Sequence, residues 1–160
     1  MSVEIATFQL EHARRFAELN REWLERYSLM ESAEEEQLAD PQKYFLDRGG
    51  QIFVALQDGQ VVGTCAVIPH GLEEFELAKL TVSSEFRGQG IARHLVQHCL
   101  VYARAQGARR VMLVSNSQLQ VALRLYESLG FRYSPVPEDT KYEVADVCMV
   151  FDLDSAHPEA

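Results

Sequence analysis

The segment Arg87-Gly88-Gln89-Gly90 stands between an apolar stretch, Leu80-Thr81-Val82, and a helical pattern that opens at Ile91-Ala92. A turn of this kind can hold an anion. The first amides of a helix lack acceptors within it and point outward, and the helix dipole adds partial positive charge there. Gly88 and Gly90 present no side chain to keep a ligand from those amides, and Arg87 offers a forked cationic donor. Together they suit a pyrophosphate. A nucleotide P-loop would end in Gly-Lys-Ser/Thr, and a dinucleotide fingerprint would put a third glycine where Arg93 stands; the sequence has neither. Taken alone, a two-glycine turn is as often a plain connection as a binding site.

The elements that must position this turn follow from periodicity. Val3 to Phe8 alternates in part, as a short strand does. Leu10, Ala13, Phe16, Ala17, Trp23, Leu24 and Tyr27 recur at helical spacing. Glu31 to Leu38 is acidic and reads as a solvated helix end or loop. Asp40-Pro41 starts a second short helix, which Gly49-Gly50 ends. Gln51–Gln57 and Gln60–Ile68 are strands joined by Asp58-Gly59, a hairpin dipeptide. Pro69, His70 and Gly71 break the second of them, and Phe75–Val82 is a third. Ile91 to Gln106 is a helix with Ile91, Leu95, Cys99 and Tyr102 on one face, stopped at Gly107. Val111–Ser115 is a strand, Leu119–Leu129 a helix stopped by Gly130, and Phe131–Ser134 and Ala145–Leu153 are further strands. This order predicts an α/β chain with one mixed sheet covered on both faces.

The bulk properties narrow the function. A chain of 160 residues, 47% hydrophobic, suits one domain spanning 1–160. The net charge of −9 repels phosphate backbones, which argues against nucleic acid and mildly favours a cationic substrate. Cys65, Cys99 and Cys148 have neither metal-ligand nor redox spacing and read as reduced, buried thiols. No metal site is expected. The start Met1-Ser2-Val3-Glu4 lacks a basic segment followed by an apolar run, and no apolar run has the length of a membrane span, so a cytoplasmic protein without a membrane partner is the expectation.

Arg87, Gly90 and Ala92, flanked by Leu80-Thr81-Val82 and Ile91, resemble motif A of the GNAT acetyltransferase superfamily, an Arg/Gln-x-x-Gly-x-Gly/Ala pattern. Asn116, Ala122, Tyr126 and Gly130-Phe131 resemble its motif B, in the right order and context. The resemblance covers about Ile52 to Leu153 and is weakest over residues 1–50. It implies a single-domain GNAT-like α/β fold, a central mixed, largely antiparallel twisted sheet of about six to seven strands flanked by about four helices, with acetyl-coenzyme A as co-substrate. Its pyrophosphate would lie on the amides from Arg87 through Gly88, Gln89, Gly90 and Ile91 to Ala92. The pantetheine arm would pair with the backbone of Leu80 and Val82 and with Asn116. It also implies that residues 1–50 shape the acceptor site and 51–153 form the cofactor-binding core; residues 154–160 read as a loose tail. Members often form homodimers, but no segment here marks an interface.

The implied reaction moves an acetyl group directly from the thioester to a primary amine of a small molecule or a protein. It needs a base for the amine, a donor for the oxyanion and an acid for the thiolate. Tyr126 is the candidate acid: a phenol of pKa about 10 is protonated at neutral pH. Glu76 fits the position of a strand glutamate that acts as base in many members; His70 and water are the alternatives. Alternation places Glu74, Glu76, Ala78, Leu80 and Val82 on one face, with the oxyanion donor near Leu80 to Val82. Trp23, Tyr27 and Tyr44 could line the acceptor site, although aromatics at helical spacing more often serve the core. Tyr142 and Asp146 stand where they could gate or bind the amine. The competing readings are a non-catalytic coenzyme A-binding sensor or interaction module on the same fold, and a nucleotide-binding protein.

Overall fold

Asp58 and Gly59 take φ of +51° and +81°, the left-handed pair that a two-residue hairpin turn requires. They join β2 (Gln51–Gln57) to β3 (Gln60–Gly71). The computed structural model describes residues 2–140 and 142–154. The remaining strands are β1 (Glu4–Thr7), β4 (Glu74–Val82), β5 (Arg110–Ser115), β6 (Arg132–Ser134) and β7 (Val147–Asp152). The helices are α1 (Ala13–Arg26), α2 (Ser32–Ala39), α3 (Ile91–Ala105) and α4 (Gln120–Leu129). Seven strands form one sheet in the order β1-β2-β3-β4-β5-β7-β6. Among the described residues only β4 and β5 pair in parallel. The expected mixed, mostly antiparallel sheet with four helices is the fold.

Alternation along β2 divides the core. Ile52 and Val54 face one side with Phe16, Leu19, Leu38 and Phe45. Phe53 and Ala55 face the other with Leu95, Cys99 and Tyr126. Phe16 is fully buried and meets Phe8 and Phe45 edge-on, at 6.0 and 6.3 Å between ring centroids. Burying such a side chain contributes about 1.5–3 kcal/mol. Beside this cluster α1 packs on β3 and β4. Gly107 and Gly130, at φ +91° and +115°, stand just past α3 and α4 as left-handed stops.

Two sequence expectations fail. The acidic stretch after Glu31 is not a loop or a fully solvated helix end: α2 buries Glu34, Gln37 and Leu38 while Ser32, Glu35 and Glu36 stay exposed. The expected second short helix is present as one wide turn, Gln42–Leu46, with Asp40 Oδ1 accepting from Lys43 N at 3.1 Å. Pro69 does not break β3, which continues to Gly71 opposite Glu74. The last β2 partner is Gln51 opposite Val67, so at Pro69 the strand has a single neighbour and can tolerate a missing N–H.

A third failure bears on the site. Between Ala66↔Ala78 and Thr64↔Thr81, β4 has one residue more than β3. Lys79 takes φ +60° there. The extra residue is a β-bulge, which reverses the inside–outside alternation. Leu80 and Val82 therefore join Phe75 and Leu77 on the α3 face and do not share a face with Glu76.

Candidate active site

Pairing of β4 with β5 is confined to Glu74–Glu76 against Arg110–Met112. Beyond it the strands diverge, β4 running on to Val82 and β5 to Ser115. The gap opens into a cleft of about 820 Å³ including its mouth. Leu77 to Leu80 form one wall and Leu113 to Asn116 the other, with Leu119, Ala122 and Tyr126 beyond them. Strand edges exposed in this way offer unpaired backbone groups to an extended ligand.

The bulge aims one of those groups. Thr64 Oγ1 donates to the Lys79 carbonyl at 2.7 Å, and Asn20 Nδ2 donates to Thr64 Oγ1 at 3.1 Å. In a trans peptide the following N–H points opposite to the carbonyl. The Leu80 N–H thus points away from Thr64.

The glycine turn lies at the N-terminus of α3. Gly90 is its N-cap, at φ +81°, and no side chain caps the helix. The first helical bond is His94 N to Gly90 O, at 3.2 Å, which leaves the amides of Ile91, Ala92 and Arg93 without intrahelical acceptors. A Cβ at Gly88 or Gly90 would meet no protein atom within 4 Å. Open space and unengaged amides fit an incoming diphosphate. Arg87 Nε donates to Val82 O at 3.0 Å and its guanidinium lies 5.2 Å from the Trp23 ring, so it braces the turn against α1.

Tyr126 is 8% exposed, packs on Phe131 and lines the cleft. Burial, reinforced by the neighbouring Cys65 and Cys99, pushes its phenol well above the ordinary tyrosine value and keeps it protonated. Asn116 also lines the cleft, but its carboxamide is engaged: Nδ2 donates to Val144 O at 2.8 Å and Oδ1 accepts from Gln118 N at 3.0 Å.

At the far end of the cleft lie Glu76, only 4% exposed, and Tyr142. They separate it from a smaller recess that contains His70, Asp139 and Thr140. His70 is exposed and its Nδ1 meets Glu74 Oε1 at 2.8 Å, so it is not a wall of the main cleft. Asp146 is not one either: its two oxygens accept from Ser117 N and Ser117 Oγ, both at 2.8 Å. Of the aromatics, Trp23 faces the cleft, Tyr27 packs on it at 4.7 Å, and Tyr44 hydrogen-bonds Gln37. Among the described residues no group of three His, Cys, Asp or Glu side chains could hold a metal ion, and no helix is long and apolar enough to cross a membrane.

Residues 14–131 match the Acetyltransferase (GNAT) family. The chain belongs to the GNAT family. N-acetyltransferase family 8 member 2 of Rattus norvegicus is 42% identical to this GNAT chain over 100 residues. That match covers 59% of the chain and 44% of the relative, so the chain spans less than half of that protein's length. A GNAT-family acetyltransferase of Staphylococcus aureus superposes with a TM-score of 0.86 at 18% identity, covering 95% of this chain and 99% of that one. An N-acetyltransferase of Thermoplasma acidophilum, solved in complex with coenzyme A, gives 0.75 at 17% identity over 95% and 99%. These two likenesses establish the GNAT fold.

Three side chains in the cleft of this GNAT chain escaped sequence reasoning. Asn20 and Glu34 come from the helices of the first fifty residues, as do Trp23 and Leu24, while Leu29 lies in the connection between those helices. Lys79, at the bulge, forms an ion pair with Glu34. Lys79 carried a visible signal, a charge within the otherwise apolar Ala78-Lys79-Leu80 of a buried strand. Its partner stands 45 positions away, and no local pattern connects the two.

Proposed function

We propose that this GNAT chain transfers the acetyl group of acetyl-coenzyme A to a primary amine by direct attack in a ternary complex. The observation that carries the reading is the divergence of β4 and β5, with uncapped α3 amides on one side and Glu76 at the far end. The diphosphate would lie on the amides of Gly88 to Ala92. The pantetheine arm would follow the backbone of Leu80 and Val82 and pass Asn116 on the opposite wall.

The Leu80 N–H is the proposed donor to the thioester oxygen as it becomes an oxyanion. A preorganised donor of this kind is worth about 10²–10³ in rate. Glu76 takes the proton from the amine, the amine nitrogen bonds to the carbonyl carbon, and the carbon–sulfur bond breaks. Tyr126, held protonated by burial, supplies the proton to the departing thiolate. Direct attack is favoured over an acetyl-enzyme by the thiols. Cys65, Cys99 and Cys148 are all buried and none lines the cleft; burial raises Cys99 and Cys148 above the ordinary thiol value and suppresses the nucleophilic thiolate.

The test is thiol release from acetyl-coenzyme A across an amine panel, with Glu76→Gln alongside. Turnover by the wild type, lowered about 10²-fold or more in the variant with unchanged coenzyme A affinity, is expected. Tight coenzyme A binding without release for any acceptor would instead establish a sensor on this fold. Stabilisation by ATP or NAD and not by coenzyme A would refute the cofactor assignment.

A further inference from the structure

The far end of the cleft holds a charge pattern that acetyl transfer to a simple amine does not require. Lys79 Nζ pairs with Glu34 Oε1, the two side chains being 4% and 11% exposed, and both residues line the cleft with Glu76. Tyr142 is the hub. Lys79 Nζ lies 5.7 Å from its ring centroid, Gln37 Nε2 donates to its hydroxyl at 2.8 Å, and Glu76 and Glu34 both act electrostatically on its phenol. Two carboxylates and one ammonium are thus gathered around one ring.

Stability does not account for this pair. Desolvating two ions offsets their attraction, and apolar residues of the same volume serve a buried site as well or better. Backbone needs do not account for it either. Lys79 occupies the left-handed region, where a glycine would be unstrained. A strained residue that also brings a buried charge to the wall of an open cleft is the signature of a ligand contact.

We infer that Lys79 and Glu34 form an exchangeable ion pair that recognises an acceptor carrying an amine and a carboxylate on the same carbon, an α-amino acid or a derivative with both groups free. This rests on the acetyl-transfer reading. The acceptor carboxylate takes a place on the Lys79 ammonium, and the acceptor ammonium enters between Glu34 and Glu76. There Glu76 removes its proton before attack. The zwitterion brings one charge of each sign, so the sum in the cleft is unchanged and every charge has an opposite neighbour. A simple monoamine satisfies the carboxylates but gains nothing from Lys79.

The test compares acceptors that differ only in the carboxylate, for example phenylalanine with phenethylamine and aspartate with β-alanine, by kcat/KM for thiol release. The wild type is expected to prefer the α-carboxylated member by at least about tenfold, the scale of one charge-assisted hydrogen bond. Lys79→Met/Glu34→Gln removes the pair without stranding either charge. It should lower kcat/KM for the amino acid at least about tenfold more than for its matched amine, chiefly through KM. Lys79→Arg should keep the preference. Coenzyme A affinity and the melting temperature report folding of each variant. Turnover without preference for the carboxylated acceptor, or a preference that survives in the double variant, overturns this inference alone. No turnover on any acceptor overturns the acetyl-transfer reading and this inference with it.

Discussion

Thr64 donates its hydroxyl proton to the main-chain carbonyl of Lys79 at 2.7 Å, and this contact sets the direction of the peptide joining Lys79 to Leu80. Thr64 is fully buried and is itself bonded to Asn20 of α1. One hydroxyl therefore connects the first helix, the third strand and the bulge that faces the cleft.

Thr64→Val keeps the shape and removes the hydroxyl. The Lys79 carbonyl and the Asn20 amide each lose a buried partner, at a cost of about 1–3 kcal/mol. Urea unfolding should show that loss. Turnover should fall by up to about 10²-fold, the scale of a misplaced catalytic group, while coenzyme A affinity holds, because the diphosphate turn is elsewhere. An unchanged kcat would show that the bulge peptide takes no part in the reaction.

Gly90→Val tests the anion site. No protein atom stands within 4 Å of the added Cβ, so the expected loss of stability is the left-handed strain alone, about 1–2 kcal/mol. The side chain projects where the diphosphate would rest. Calorimetric titration with coenzyme A should give a dissociation constant at least about tenfold higher. Gly90→Ala carries the same strain with a smaller obstruction and should lie between the two. Wild-type affinity in a folded Gly90→Val protein would refute the assignment.

Tyr126→Phe retains the ring and its packing on Phe131. The melting temperature should move little, and kcat should fall about 10²-fold or more. Because burial raises the phenol above its ordinary value, Tyr126 remains a proton donor across pH 6 to about 10. The wild-type rate should therefore show no alkaline decline from this group in that range. A descending limb below about pH 9 that vanishes in Tyr126→Phe would contradict the environment described.

Alkaline stability follows from the same burial. Tyr126 and Tyr142 are both pushed up, chiefly by burial, so above about pH 10 the unfolded chain loses phenolic protons that the folded chain keeps. Their contribution is complete below the unfolded value and is lost as pH climbs through and beyond it. Melting temperatures measured from pH 8 to 11 should fall steeply in the wild type and less so in Tyr126→Phe/Tyr142→Phe. Equal slopes would mean that neither phenol is sequestered.

Much of the fold was legible because its signals are local. Asp58-Gly59 encodes left-handed dihedrals, and Gly107 and Gly130 encode helix stops; the structure has all three in place. Glu34 and Gln37 were misjudged because polar residues in an acidic run are normally solvated. Their burial arises from Lys79 and Tyr142, which are distant in sequence. That the Arg87 guanidinium would also stand beside Trp23 was not legible, because nothing near Arg87 in the sequence points to α1.

The sequence by itself determined the element order, the glycine turn ahead of α3 and the side chains along each helix face, since these depend on dihedral preference and periodicity within a few residues. The tertiary structure decided the rest. The bulge at Lys79 reversed the face of Leu80 and Val82, the divergence of β4 from β5 opened the cleft, and the fold brought Glu34 to Lys79. Strand register, strand divergence and ion pairing between distant positions are set by how whole elements pack, and no short stretch of residues carries that information.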